Sequence, residues 1–286
     1  MKVLLIQSYT MLDQPPIFPL GVCFLAAALP KHDVAICDLN TLENPFEDME
    51  RKIRDWNPDV VGISLRNIKI FTPEKHIAYL DPHIELVQRI KKLRPDIRVI
   101  AGGSGFSLYA EVIMRKIPEI DFGVFGEGEI TFPKLLADID KPYNVEGIYY
   151  REKKEVIFTG PRPFLDFHKS LMPRWDLVDM TKYYNEDSVT SVGVQTKRGC
   201  SQRCIHCSDT YLVGNNIRLR SAKSVVDELE ILRDKYKVTT FSFVDQIFNI
   251  PIGHAEEICR EMIRRKLGLQ WTAWFNERHL TDNLLA

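Results

Sequence analysis

Three of the six cysteines in this chain fall within one short stretch, "RGCSQRCIHCSDTYLVG" (198–214), as Cys200, Cys204 and Cys207. The spacing is C-x3-C-x2-C, with Gly199 directly before it. In a reducing compartment, thiols this close together are read as metal ligands ahead of disulfides. A structural zinc site takes four ligands, often as two separated pairs, so zinc would need His206 or Asp209 as the fourth. A 4Fe–4S cluster on three thiolates leaves one iron open to a small molecule. Cys23 and Cys37 sit in apolar runs and Cys259 on a helical pattern. Free cysteine in such places behaves as a small hydrophobe.

The surroundings of the cysteines are basic. From Lys197 to Lys223 there are six cations (Lys197, Arg198, Arg203, Arg218, Arg220, Lys223) and one acid, Asp209, in a chain whose net charge is −1. That local excess suits an anionic occupant.

These residues need a scaffold, and the pattern supplies two. "KVLLIQSY" (2–9), "DVAICDL" (33–39), "PDVVGISL" (58–65), "IRVIAGG" (97–103) and "IDFGVFG" (120–126) read as buried strands. Between them, helices are expected at 20–29, 45–56, 81–94, 107–117 and 129–139, with Asp81 as an N-cap and Pro82 at the first helical position. Apolar strands alternating with helices predict a doubly wound parallel sheet over 1–140. Ligands of such sheets bind outside the carboxyl ends of the strands. A dinucleotide is disfavoured, because the turn "QSYTMLDQPPIFP" after the first strand has no glycine. Glycines come later, in "AGGSG" (Gly102, Gly103, Gly105) and "GEGE" (Gly126, Gly128, with Glu127 between them). Together they predict bare backbone suited to a large flat ligand.

Residues 141–190 read as a connector, a hairpin at 145–160 and then an ordered Pro- and aromatic-rich linker in which His168 and Trp175 are packing residues. From 191 the β/α rhythm resumes, with strands at 191–199, 239–245 and 270–276 and helices at 222–236 (Ser221 as N-cap) and 253–267. Asp245 and Gln246 end the second of these strands, Asn276 and Arg278 the third, where functional residues of parallel β/α units sit.

"PLGVCFLAAAL", "PDVVGISL", "VIAGGSG" and "DFGVFGEGEITFPKLL" resemble, in order, the landmarks of the cobalamin-binding domain fused to radical S-adenosylmethionine enzymes. The cysteine segment resembles that superfamily's cluster motif. The resemblance implies a Rossmann-like cobalamin-binding domain followed by a partial, truncated β/α barrel (191–286). It implies cobalamin, S-adenosylmethionine and a 4Fe–4S cluster on Cys200, Cys204 and Cys207. Cobalamin would contact Asn40, Ser64, Leu65, Arg66 and the glycine turns with Glu127. Asn40, in "DLNTLE", stands where the wider fold's D-x-H-x-x-G motif supplies a cobalt-ligating histidine, so the lower face of cobalamin should lack one. His206 would lie near adenine, Asp245 would meet the amino group of S-adenosylmethionine as the catalytic residue, and Asn276 and Arg278 would face its carboxylate or the substrate.

The implied activity is methylation of an unactivated carbon of a small-molecule or peptide substrate, through methylcobalamin and a 5′-deoxyadenosyl radical, with an external flavodoxin- or ferredoxin-type electron donor. Cyclisation or rearrangement by the same architecture is the alternative, and a non-catalytic cobalamin- or metal-binding module the third reading. The family's barrel has six β/α units and only three strands follow residue 190, so the chain is expected to be the front of a longer enzyme, able to bind cobalamin without turnover. With 38 basic and 39 acidic residues, the charge gives no support to nucleic-acid binding. The run "GVCFLAAAL" is far short of the ~18 apolar residues of a membrane span. A cytoplasmic location is expected.

Overall fold

The computed structural model describes residues 1–8, 16–67, 69–71, 76–78, 80–169, 171–183 and 192–285. The chain divides into two compact units. The first comprises Met1–Gln14, Gly21–Leu165 and Pro173–Val178, and the second Pro15–Leu20, Asp166–Met172 and Asp179–Ala286.

In the first unit the strands are β1 (Lys2–Gln7), β2 (Asp33–Asp38), β3 (Val60–Ser64), a short antiparallel pair β4 (Lys69–Phe71) and β5 (His76–Ala78), β6 (Arg98–Gly102), β7 (Phe122–Val124), β8 (Ile148–Glu152) and β9 (Glu155–Phe158). The main sheet runs β2-β1-β3-β6-β7-β8-β9. Its first five strands are parallel, in the 2-1-3-4-5 order whose switch point lies between the first and third strands. The hairpin β8–β9, expected to belong to the connector, pairs antiparallel with β7 and completes this sheet. An antiparallel edge on a parallel sheet is common.

The helices are α1 (Leu20–Ala27), α2 (Pro45–Trp56), α3 (Leu80–Leu93), α4 (Ser104–Leu108), α5 (Ala110–Lys116) and α6 (Gly128–Ala137). Leu4 and Ile6 of β1 share one core with Met49 and Ile53 of α2, Leu86, Val87 and Ile90 of α3, and Ile113 and Met114 of α5. On the opposite face of the sheet, a Cβ at Gly62 would meet Leu5 Cδ2 at 2.8 Å and the Phe132 ring of α6 at 3.2 Å. Two expectations change here. The single helix over 107–117 is broken at Tyr109 (φ −136°, ψ 27°) into α4 and α5. Helix α3 begins at Leu80, which places Asp81 in its first turn, and the residue before the helix lies outside the described residues. So does the glycine-free turn at 9–15.

The second unit holds β10 (Gly193–Val194), a two-stranded ribbon of β11 (Lys197–Arg198) and β12 (Arg218–Leu219), β13 (Thr240–Phe243) and β14 (Gln270–Ala273). Strands β10, β13 and β14 form a parallel sheet in that order. Its helices are α7 (Asp209–Val213), α8 (Ala222–Tyr236), α9 (Ile252–Arg264) and α10 (Asp282–Leu285). Ser221 caps α8 as expected, its hydroxyl accepting from the Ser224 amide at 3.2 Å. Period-2 alternation sorts the strands. Phe241, Phe243 and Phe248 are buried and, with half-buried Trp271, form a chain of ring contacts at 4.5–5.2 Å. Between them in sequence, Ser242 turns the other way, its hydroxyl 2.7 Å from that of Thr272.

Candidate functional site

In the first unit the strand register aligns the carboxyl ends into one row. Gln7 pairs with both Asp38 and Ser64, and Ser64 pairs with Gly102. Two loops then fold onto each other. The Leu65 amide donates to the Gly102 carbonyl at 2.8 Å, the Gly105 amide to the Leu65 carbonyl at 2.9 Å, and the Ser104 hydroxyl to the Arg66 carbonyl at 2.9 Å. A Cβ at Gly103 would sit 2.8 Å from the Leu65 oxygen, and one at Gly105 2.9 Å from the Arg66 oxygen. These glycines, expected to bare backbone to a ligand, let two turns of the chain pack together. Gly102 is in ordinary contact with Val124, and Gly128 opens α6 with Leu25 3.3 Å from where a Cβ would stand. Gly126 differs: its φ is +73° and nothing lies within 4 Å of its missing side chain.

Glu127 is engaged within the protein. Its carboxylate accepts from the Leu165 amide at 2.6 Å and lies 4.0 Å from the Arg162 guanidinium, so it fastens the segment after the hairpin. Asn40 bridges the ends of β1 and β2, its amide donating to the Ser8 carbonyl (3.1 Å) and to Asp38 Oδ1 (2.7 Å). Arg66 is half-buried, burial lowers its pKa, and among the described residues no carboxylate pairs with it. An open glycine turn, a partly desolvated guanidinium and an asparagine amide fit a ligand that brings its own bulk and needs no imidazole.

In the second unit, the cysteine loop leaves β11 and returns along β12. Gly199 has φ +99°, and a Cβ there would overlap the Asn216 carbonyl. The Cys200 amide donates to the Gly214 carbonyl at 3.0 Å. Cys200 is half-buried, whereas Cys204, Cys207 and His206 are exposed. Among the described residues no three Cys, His, Asp or Glu side chains are gathered closely enough to hold a metal. The loop as folded therefore brings together neither the three thiols nor His206 and Asp209. Its donor set, three thiols with two at the surface, fits an iron–sulfur cluster better than a four-ligand zinc site.

Asp245 is turned inward. It lies two residues beyond the end of β13 and is buried. Its carboxylate accepts from the Thr196 amide (2.8 Å), the Thr196 hydroxyl (2.5 Å), the Lys197 amide (3.2 Å) and Lys197 Nζ (3.2 Å). A carboxylate engaged this fully inside the protein is not presented to a ligand. The adjacent Gln246 carries a buried Oε1 with no partner among the described residues. An orphaned buried acceptor is a signal that the sequence has no means to show. Asn276 caps a turn, its Oδ1 accepting from the Arg278 amide at 3.0 Å, while its own backbone exchanges two 2.8 Å bonds with Asn249. The Arg278 side chain is exposed.

Among the described residues, three of the six cations in the window are paired with acids. Lys197 pairs with Asp245, Arg220 with Glu228 at 2.6 Å, and Lys223 with Asp227 at 2.8 Å. Arg198 stacks on Phe167 (4.4 Å), and Arg218 donates to the Val213 carbonyl (2.8 Å). These acids lie outside the counted window, so a charge count along the sequence overstated the local field.

Residues 14–136 match the family model of the B12 binding domain. An uncharacterized methyltransferase of Pyrococcus horikoshii is 32% identical over 270 residues, covering 91% of this chain and 56% of that protein. An anaerobic magnesium-protoporphyrin IX monomethyl ester cyclase of Rubrivivax gelatinosus is 29% identical over 265 residues, 88% of this chain and 46% of that protein. The chain thus spans about half the length of these curated relatives. The fold matches the radical S-adenosylmethionine methyltransferase TsrM of Kitasatospora setae, solved with tryptophan and a SAM analogue and with cobalamin and a [4Fe-4S] cluster, at a TM-score of 0.86 and 24% identity. That match covers 99% of this chain and 56% of the solved chain with tryptophan.

Proposed function

For a chain that belongs to the cobalamin-binding radical S-adenosylmethionine enzyme family, we propose methyl transfer to an unactivated carbon of a small-molecule or peptide substrate. The observation that carries this reading is the cysteine loop, three thiols rooted beside a parallel β/α sheet in a chain whose other unit matches a B12 binding domain. When bound, a 4Fe–4S cluster on Cys200, Cys204 and Cys207 would supply electrons to S-adenosylmethionine, and cobalamin a transferable methyl group. The electrons would come from a flavodoxin- or ferredoxin-type protein.

The chain's own residues divide the work. Cys204 and Cys207 are at the surface, where iron and sulfide can reach them. Gln246 offers an unused buried acceptor to an amino group, in place of Asp245. Along the row of strand ends, Arg66 and the open turn at Gly126 offer a cation and bare backbone to cobalamin, while Asn40, held by Ser8 and Asp38, offers no imidazole. The identity to a ring-forming cyclase supports cyclisation as the second reading.

Anaerobic reconstitution of the full chain tests the proposal. About four irons and four sulfides should bind, and alanine at all three cysteines should abolish this while leaving cobalamin binding intact. The paramagnetic cob(II) form should show no splitting from a protein imidazole nitrogen. Stoichiometric zinc without sulfide uptake would overturn the cluster assignment. With reductant and S-adenosylmethionine, a protein extended over the full length of its relatives should give S-adenosylhomocysteine if methyl is transferred, and 5′-deoxyadenosine without it under the second reading.

A further inference from the structure

The residues leading into the cysteine loop are among the most enclosed in the second unit. Thr196 is 0%, Lys197 2% and Arg198 7% exposed. Five residues beyond Cys200 the gradient has reversed completely, and Ile205 stands fully in solvent. The buried end is held from two directions. On one side Asp245 takes the amide and hydroxyl of Thr196 and the amide and ammonium of Lys197. Lys197 Nζ also donates to the Phe248 carbonyl at 2.9 Å, so its three-donor head is tied at two points. On the other side the Arg220 amide donates to the Thr196 carbonyl at 2.9 Å, and its guanidinium donates to the Gln195 carbonyl at 2.8 Å while pairing with buried Glu228.

Both peptide groups flanking Thr196 are therefore used, and each clamp ends in a buried ion pair. Such pairs add little net stability compared with apolar residues of the same volume, yet they are costly to break singly. Their effect here is geometric: they fix the chain three residues before Cys200, and Gly199 with its tight approach to Asn216 passes that constraint on.

Resting on the cluster reading above, we infer that Asp245 is a positioning residue that pre-places Cys200 through Thr196 and Lys197, leaving Cys204 and Cys207 to close onto the metal from a free tip. Cluster assembly then starts from one fixed thiol and two exposed thiols on the same loop. Asp245 touches neither metal nor S-adenosylmethionine.

The test needs no metal. In the metal-free full chain, the alkylation rate of each cysteine by iodoacetamide is read by peptide mass spectrometry. Cys259, on α9 in the same unit, reports general loosening. In the parent protein Cys200 should react at least tenfold more slowly than Cys204 and Cys207. In Asp245→Asn, the ratio of the Cys200 rate to the Cys259 rate should rise about tenfold. Because that variant can loosen the whole unit, Asp245→Leu combined with Lys197→Met supplies a second case, apolar and uncharged but unable to accept from Thr196. A raised ratio in either variant supports the inference, as does an altered paramagnetic spectrum of the reconstituted reduced cluster alongside it. An unchanged ratio in both, or a Cys200 as reactive as Cys204 in the parent protein, would overturn it. Failure of the parent protein to bind iron and sulfide while these rates behave as expected would strike the cluster reading and leave the positioning role standing.

Discussion

Glycines that look alike in sequence have different physical duties. Gly199 combines a left-handed φ of +99° with a carbonyl where a Cβ would be, whereas Gly126 has a φ of +73° and open space around it. Gly199→Ala should therefore cost backbone strain plus a displaced loop, roughly 1–3 kcal/mol or more. Gly126→Ala should cost only the conformational part, about 1 kcal/mol. Urea denaturation of the two variants measures the difference. If Gly126 borders the corrinoid, its alanine variant should also lose cobalamin affinity, and Gly103→Ala should lose stability first.

Helix α3 carries a pH dependence for the first unit. His83 is buried on it, and its Nε2 donates to the Asn67 carbonyl at 3.3 Å. Nδ1 is buried without a partner among the described residues, so a proton there would be an unpaired donor. Burial lowers the His83 pKa below 6.5, with the Asn67 hydrogen bond opposing. The unfolded chain takes up the proton near pH 6.5 and the folded chain resists it. Above that pH His83 contributes no pH dependence, and stability falls as pH drops through 6.5 toward the lower folded value. The thermal midpoint should decrease from pH 7.5 to 5.5, and His83→Gln should decrease less over the same range. Equal decreases would remove His83 from the explanation. His254 on α9 has the same sign, lowered first by burial and then by Lys197.

At the scale of the whole molecule, the β14 edge dominates the expected solution behaviour. Among the described residues β14 has β13 on one side and no strand on the other. Trp274 and Phe275 follow it, 76% and 41% exposed. An open edge beside exposed aromatic rings promotes pairing between chains. Sedimentation should show association that grows with concentration, and Trp274→Lys should weaken it. No helix among the described residues is long and apolar enough to cross a membrane.

What the sequence determined by itself is what depends on near neighbours. Helices α2 and α8 run over the stretches their periodicity marked, Ser221 caps where a cap was expected, and the five parallel strands follow from short apolar runs separated by helical patterns. The three thiols were legible because their spacing alone is informative. What only the tertiary structure decided involves partners far apart in the chain. Asp245 meets Thr196 across 49 positions, and Glu127 meets Leu165 across 38. The position of Asp245 just after a strand was readable, but its inward orientation depended on buried donors at Thr196 and Lys197. The glycines of 102–105 were equally visible, yet their purpose became clear only once the 65–66 loop lay against them. Local chemistry set the elements and the metal-ligating residue types. Long-range burial decided which polar groups are consumed by the fold and which, such as Gln246 Oε1, are left without a partner among the described residues.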